Sequence, residues 1–166
     1  IQQMTKSKVN LTKPTFWLRV EVVNHKAFIY SEIIRGLGGL PLGTGGKVVV
    51  LMSENKQDVL AAWMMMRRGA EVVPLHIRDD EKKLVQFQNN AKILLKFAWG
   101  SRIKPLSIKG VHKDRREIEA KAHELKAKAI IMASETPKML HCDLPVFEPL
   151  IGLSKKELKE LSKIVY

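Results

Sequence analysis

The stretch Ser53-Glu54-Asn55-Lys56-Gln57-Asp58 gathers a hydroxyl, two carboxylates, a cation and two amides between a run of apolar β-formers and a helical pattern. In open α/β sheets, ligands bind beyond the carboxyl ends of the strands, where such a loop meets a helix N-terminus. A phosphate seat there needs glycines, so that backbone N–H groups can curl around the oxygens, and it uses the positive end of the helix dipole. This loop has no glycine. Glu54 and Asp58 set carboxylates where phosphate charge would sit, and Lys56 offsets that repulsion only in part. Residue types leave two readings open: an ordinary cap and turn, or an altered ligand site. A second group, His141-Cys142-Asp143, contains the single cysteine of the chain. A neighbouring histidine can lower a thiol pKa, but one cysteine and one histidine fall short of the usual four-ligand zinc set, so the expectation is a passive thiol and no metal.

The elements that must position these groups can be read from periodicity. Residues 15 to 23 and 26 to 31 alternate in character and are rich in β-branched and aromatic types, which predicts a hairpin turning at Asn24-His25. A hairpin alone cannot bury a core, so it reads as the edge of a small α+β module whose remainder lies upstream or comes from another chain. Residues 36 to 46 hold six of the ten glycines and mark an ordered linker or domain boundary. Beyond them, strands expected at 47–52, 71–77, 103–109 and 128–133 alternate with helices at 57–69, 80–98 and 113–127. A last helix is opened by Ser154 with Glu157 in a capping box. Strict alternation predicts an α/β domain: a parallel sheet with helices on both faces. Trp63 and Met64 to Met66 read as packing of the first helix on that sheet. Trp99 offers a ring to a base but reads first as core, and Arg67 and Arg68 complement the helix dipole.

Charge narrows the partners. The chain of 166 residues carries 29 Lys and Arg against 17 Asp and Glu, a formal charge of +12. Residues 1 to 52 hold 7 basic and 2 acidic groups and residues 101 to 138 hold 10 and 5, whereas residues 139 to 166 balance at 4 and 4. A field of this size favours polyanions, RNA or DNA first, because neutralised phosphates release counterions. The other reading of Lys113, Arg115, Arg116, Lys121, Lys126 and Lys128 is a solvated helix face interleaved with acids. With 45% apolar residues and no run of about 18 or more of them, no membrane partner is expected. One cysteine excludes an internal disulfide framework and suits a reducing compartment. The chain opens on Ile1 without a signal-like segment, which suggests a fragment or a processed chain.

The run from Gly36 to Ser53, then Ala61-Ala-Trp-Met-Met-Met-Arg-Arg-Gly-Ala-Glu-Val-Val-Pro-Leu-His76, Ala133-Ser-Glu-Thr136, and Pro145 to Glu157 closely resemble the tRNA 4-thiouridine synthetase (ThiI) family, also linked to thiamine thiazole synthesis. The resemblance implies an adenine nucleotide α-hydrolase-like fold of PP-loop type, ATP with Mg²⁺ as cofactor, and adenylation of a tRNA uridine followed by sulfur transfer from a cysteine persulfide. It implies that residues 1–35 are the closing part of a THUMP RNA-binding module, 36–46 a linker and 47–166 the PP-loop domain. Family positions put the nucleotide at Leu51, Met52, Ser53, His76, Ile77, Ser134 and Glu135, with Leu51, Met52 and Ile77 acting mainly through backbone.

The departures from the family are as specific as the matches. The PP-loop pattern Ser-Gly-Gly-x-Asp-Ser survives only at Ser53; Glu54 and Asn55 replace both glycines, Gln57 the aspartate and Asp58 the second serine. Thr-Gly-Glu-Ser becomes Ala133-Ser134-Glu135-Thr136, the connection onward to Pro145 is shorter, and His112 and Lys113 stand near the family's arginine. No cysteine occupies the matching helix. The expectation is therefore a cytoplasmic, tRNA-binding member with impaired or lost adenylation. Lys104, Lys109, Lys113, Arg115 and Arg116 would meet tRNA phosphates, and no catalytic residue is assigned. The alternative is an active sulfurtransferase with a modified nucleotide site. A cysteine desulfurase would then be the sulfur donor, and a second copy of the chain is a further candidate partner.

Overall fold

A computed structural model describes residues 2–78, 80–98, 103–109, 115–134 and 142–166. The chain divides into two compact units, Ile1–Gly38 and Gly39–Tyr166. The first holds a short helix α1 (Gln2–Thr5) and two antiparallel strands, β1 (Arg19–Val23) and β2 (Lys26–Tyr30). Asn24 and His25 both have positive φ, 47° and 64°, the backbone that a two-residue turn needs to match the strand twist. The register pairs Val20 with Ile29 and Val22 with Ala27. One face of the ribbon is therefore wholly apolar, and all four residues are exposed.

The second unit is a five-stranded parallel sheet of order β5-β4-β3-β6-β7. Its strands are β3 (Gly46–Leu51), β4 (Ala70–Arg78), β5 (Leu106–Lys109), β6 (Ile130–Ile131) and β7 (Val146–Phe147). The helices are α2 (Lys56–Arg67), α3 (Glu81–Leu95), α4 (Arg115–Glu124) and α5 (Lys155–Val165). Strand β3 is central and buried on both faces, which is why it reads as a continuous Val-Val-Val-Leu run instead of alternating. Val48, Val50 and Met52 join α2, α3 and α5 in one cluster that includes Trp63, Phe87, Leu94 and Leu150. Val49 and Leu51 face the other way, toward Ile118 and Ala122 of α4. Pro74 is tolerated inside β4 because its side of the strand faces β5, whose pairing begins only at Leu75.

From Gly39 on, the glycine-rich stretch belongs to the second unit. Leu40 N–H donates to Arg67 O at 2.9 Å, and Gly43 and Gly45 N–H both donate to Gly69 O, at 2.8 and 2.9 Å. These bonds satisfy carbonyls left open at the end of α2. Gly69 itself has φ +82°, and a Cβ there would collide with the Thr44 hydroxyl. Strand extents differ from the expectation in two places. The ladder of β5 begins at Leu106 instead of 103, and β6 pairs over two residues of the predicted six. The ladder of β5 starts opposite Leu75, just past Pro74, whose nitrogen has no hydrogen to donate to it.

Candidate functional site

All five strands are parallel, so their carboxyl ends lie on one edge of the sheet. Between β3 and β6 the strand order reverses. The crevice outside the ends of strands at such a reversal is where α/β sheets hold ligands. Met52 and Ser53 follow β3, His76 and Ile77 end β4, and Met132 to Ser134 follow β6. The four buried polar side chains among the described residues all sit at this edge or on the helices packed against it: Asp58 at 8% exposure, His76 at 1%, Asn90 at 8% and Ser134 at 6%.

The loop after β3 is closed on itself. Ser53 N–H and Ser53 Oγ–H both donate to Asp58 Oδ2, each at 2.6 Å, and Asn55 N–H donates to Ser53 Oγ at 3.2 Å. Asp58 reaches back because it lies in the first turn of α2, whose exposed N–H end favours a carboxylate. From α3, Asn90 Nδ2 donates to Ser53 O at 3.3 Å and Asn55 O at 3.4 Å, pinning the loop from below. Burial pushes the Asp58 carboxyl above its ordinary value; hydrogen bonds from the Ser53 side chain and backbone pull it back in part, and the charge of Glu54 pushes it up again. Tyr166, just past α5, closes the outer side. Its hydroxyl donates to Lys56 O at 3.3 Å, and Lys56 Nζ lies 4.9 Å from its ring centroid. Desolvation, then the nearby Asp58 charge, pushes the Tyr166 phenol up to about 12.

The end of β4 is organised differently. Met52 N–H continues the ladder by donating to Leu75 O at 2.9 Å. A regular parallel ladder would next bring Ile77 N–H to Met52 O. Instead His76 Nδ1 meets that carbonyl at 3.0 Å, with its ring stacked on Phe87 at 4.8 Å between centroids. The carbonyl is only an acceptor, so Nδ1 carries the proton and the buried Nε2 has no partner among the described residues. Residues in a parallel strand alternate the side to which their N–H and C=O point. Leu75 points to β3, His76 to β5, and Ile77 again to the β3 side, past the last paired residue. Among the described residues, the Ile77 N–H finds no backbone partner there.

Leu51, Met52, Ser53, His76, Ile77 and Ser134 gather at the carboxyl edge, while Glu135 lies outside the described residues. Met52 has both backbone groups engaged, by Leu75 and His76. Leu51 packs on the α4 side of the sheet. The basic residues are not all brought together. Lys104 precedes β5 and Lys109 ends it, about 16 Å of extended chain apart. Arg115 opens α4, Arg116 is exposed, and Lys113 lies outside the described residues. Cys142 is half-buried, its thiol donating to Leu144 O at 3.2 Å; His141 is outside the described residues. No group of three or more metal-ligating side chains occurs among the described residues, and none of their helices is long and apolar enough to cross a membrane. Sequence reasoning missed Asn90 and Tyr166. Asn90 carried a faint signal, being the one amide on the apolar stripe Phe87, Ala91 and Leu94.

Sheet order, helix placement and this edge define an adenine nucleotide α-hydrolase-like α/β fold. Comparison with known proteins is more specific: residues 43–139 match the family described as thiamine biosynthesis protein (ThiI). A probable tRNA sulfurtransferase of Thermococcus kodakarensis is 33% identical over 98% of this chain and 52% of its own length. One from Methanobrevibacter smithii is 34% identical over 93% and 50%. Among solved structures, PH1313 of Pyrococcus horikoshii aligns with TM-score 0.73 and 25% identity, covering 94% of this chain and 53% of that one. A 4-thiouridine synthetase in complex with RNA and bound ATP aligns with TM-score 0.75 and 24% identity over 99% and 52%. The chain belongs to the ThiI (tRNA sulfurtransferase) family. It spans about half the length of the curated relatives it matches.

Proposed function

We propose that this chain is a tRNA-binding member of its family in which the loop after β3 no longer seats a triphosphate. The observation that carries this reading is the Asp58 carboxylate, which takes the Ser53 N–H and Oγ–H at 2.6 Å each. An anion already fills the concave side of the turn, and it is covalently part of α2. A phosphate would have to displace it, and Glu54 and Asp58 would repel the phosphate as it approached. The residues present therefore do not fit the phosphates and Mg²⁺ of ATP, and no adenylation step is derived through them.

The RNA half of the proposal is supported by the net charge of +12 and by the relative solved with RNA. Its contacts would be Lys109, Lys113, Arg115 and Arg116 around the start of α4, with Lys104 at the far end of β5. Residues 1–35 would be the closing part of a THUMP module, the apolar face of β1 and β2 being the side such a module covers. Residues 36–46 would be its linker, 47–166 the PP-loop-type domain, and the setting cytoplasmic. A specific observation favours a second reading, an active sulfurtransferase with a modified site. The unpaired Ile77 edge offers a backbone donor and acceptor suited to a base, and ATP is bound in the solved relative. Calorimetry with ATP and Mg²⁺ decides between them. The proposal expects no heat of binding; micromolar affinity would overturn it in favour of the active enzyme.

A further inference from the structure

Helix α5 carries a charge arrangement that counting along the sequence hides. Its segment is neutral by count, 4 basic against 4 acidic residues from 139 to 166, yet α5 itself holds four lysines against Glu157 and Glu160, and the exposed Glu160 flanks Lys156 and Lys163 on one side only. Lys155, Lys159 and Lys163 recur every fourth residue and so form one row about 12 Å long; Lys156 lies beside it, and all four are exposed. None of the four forms an ion pair among the described residues. Glu157 is withdrawn from them, because both its oxygen-accepting contacts go to the helix cap, from Ser154 N–H at 2.8 Å and Ser154 Oγ–H at 2.7 Å. Lys56 extends the row, held over the ring of Tyr166, three residues beyond Lys163.

Like charges four residues apart destabilise a helix, and solvated faces avoid this by alternating signs. Elsewhere the described part does so: Lys121 pairs with Glu124 at 2.8 Å and Lys47 with Glu71 at 3.5 Å. A row of unpaired lysines is instead suited to a polyanion that supplies the missing charge. The apolar side of α5 narrows the partner. Leu158, Leu161 and Val165 pack into the core of the domain, which leaves Ile164 as the one exposed aliphatic side chain of the helix, too little to insert into a lipid headgroup layer.

We propose that Lys155, Lys159 and Lys163, extended by Lys56, form a seat for consecutive phosphates of one RNA strand, distinct from the basic residues around α4. The inference rests on the RNA-binding reading given above and adds a second contact surface to it. The test measures anisotropy of labelled bulk tRNA against salt, for the wild type and for the triple variants Lys155→Gln/Lys159→Gln/Lys163→Gln and Lys155→Glu/Lys159→Glu/Lys163→Glu. Circular dichroism of each variant checks that the helix persists. The glutamine variant should bind at least about tenfold more weakly at 50 mM salt, with a log–log salt slope shallower by about 2, as expected for three single-strand phosphate contacts. The glutamate variant should bind more weakly still. Wild-type binding with unchanged affinity and slope in both variants would overturn the seat while leaving the RNA reading intact. No wild-type binding at any salt would overturn both. Loss of binding to vesicles rich in anionic lipid, with tRNA binding unchanged, would make the partner a membrane and also overturn the proposal.

Discussion

The ends of β3 and β4 are neighbours in one sheet, yet they treat their backbone polar groups in opposite ways. After β3, Ser53 and Asn55 N–H groups are engaged by Asp58 and by the Ser53 hydroxyl, and their carbonyls by Asn90. At the end of β4, His76 takes the carbonyl that would have continued the ladder, and Ile77 is left facing past β3. The first end is closed by side chains of its own chain, and the second is held open by one. On the proposed reading, the closed end is the one that would have taken phosphates and the open end the one that would have taken a base.

The comparison can be broken most strongly at Asn90. Asn90→Leu keeps the volume on the apolar stripe of α3 but removes the donor to Ser53 O in a partly buried place and leaves Asn55 O with the Asp58 N–H. The expected loss, read by urea denaturation, is about 1–3 kcal/mol. A loss near zero would mean that α3 does not hold the loop shut.

A smaller effect should appear in the pH dependence of stability at Asp58. Its folded pKa is raised above the ordinary 3.8 because burial outweighs the Ser53 hydrogen bonds. From about that value upward, the folded chain keeps a proton that the unfolded chain has released, so this contribution favours folding on the acid side and is lost as pH rises through the raised value. The stability of the wild type minus that of Asp58→Asn should therefore fall with rising pH across this window. A difference that grows with pH would show that Ser53 stabilises the carboxylate by more than burial penalises it.

Most of the frame was legible in residue types. The apolar run at 47–52 predicts a strand buried on both faces, Gly69 stops α2, Ser154 and Glu157 open α5, and Asn24-His25 turns the hairpin. These signals are local, so a single sequence carries them. The chemistry of the loop was legible only as composition. Two carboxylates argued against phosphate, but that Asp58 turns inward to Ser53 depends on the path of one turn. That Asn90 and Tyr166 complete the closure depends on contacts across 35 and 110 residues. The same limit affected the basic residues. Lys104 and Lys109 are close in sequence, yet a strand carries them to opposite edges of the sheet. Over residues 139 to 166 the equal count of acids and bases concealed a row of lysines on α5, because two of the acids lie before the helix and the capping box engages Glu157.

The proposed closure of this loop to phosphate is tested most directly by a crystal of the chain soaked with ATP and Mg²⁺. The account predicts that Asp58 Oδ2 stays on Ser53 N–H and Oγ–H, with no phosphate density in the turn. Phosphate groups resting on the N–H groups of Asn55 and Lys56, with Asp58 turned away, would contradict it.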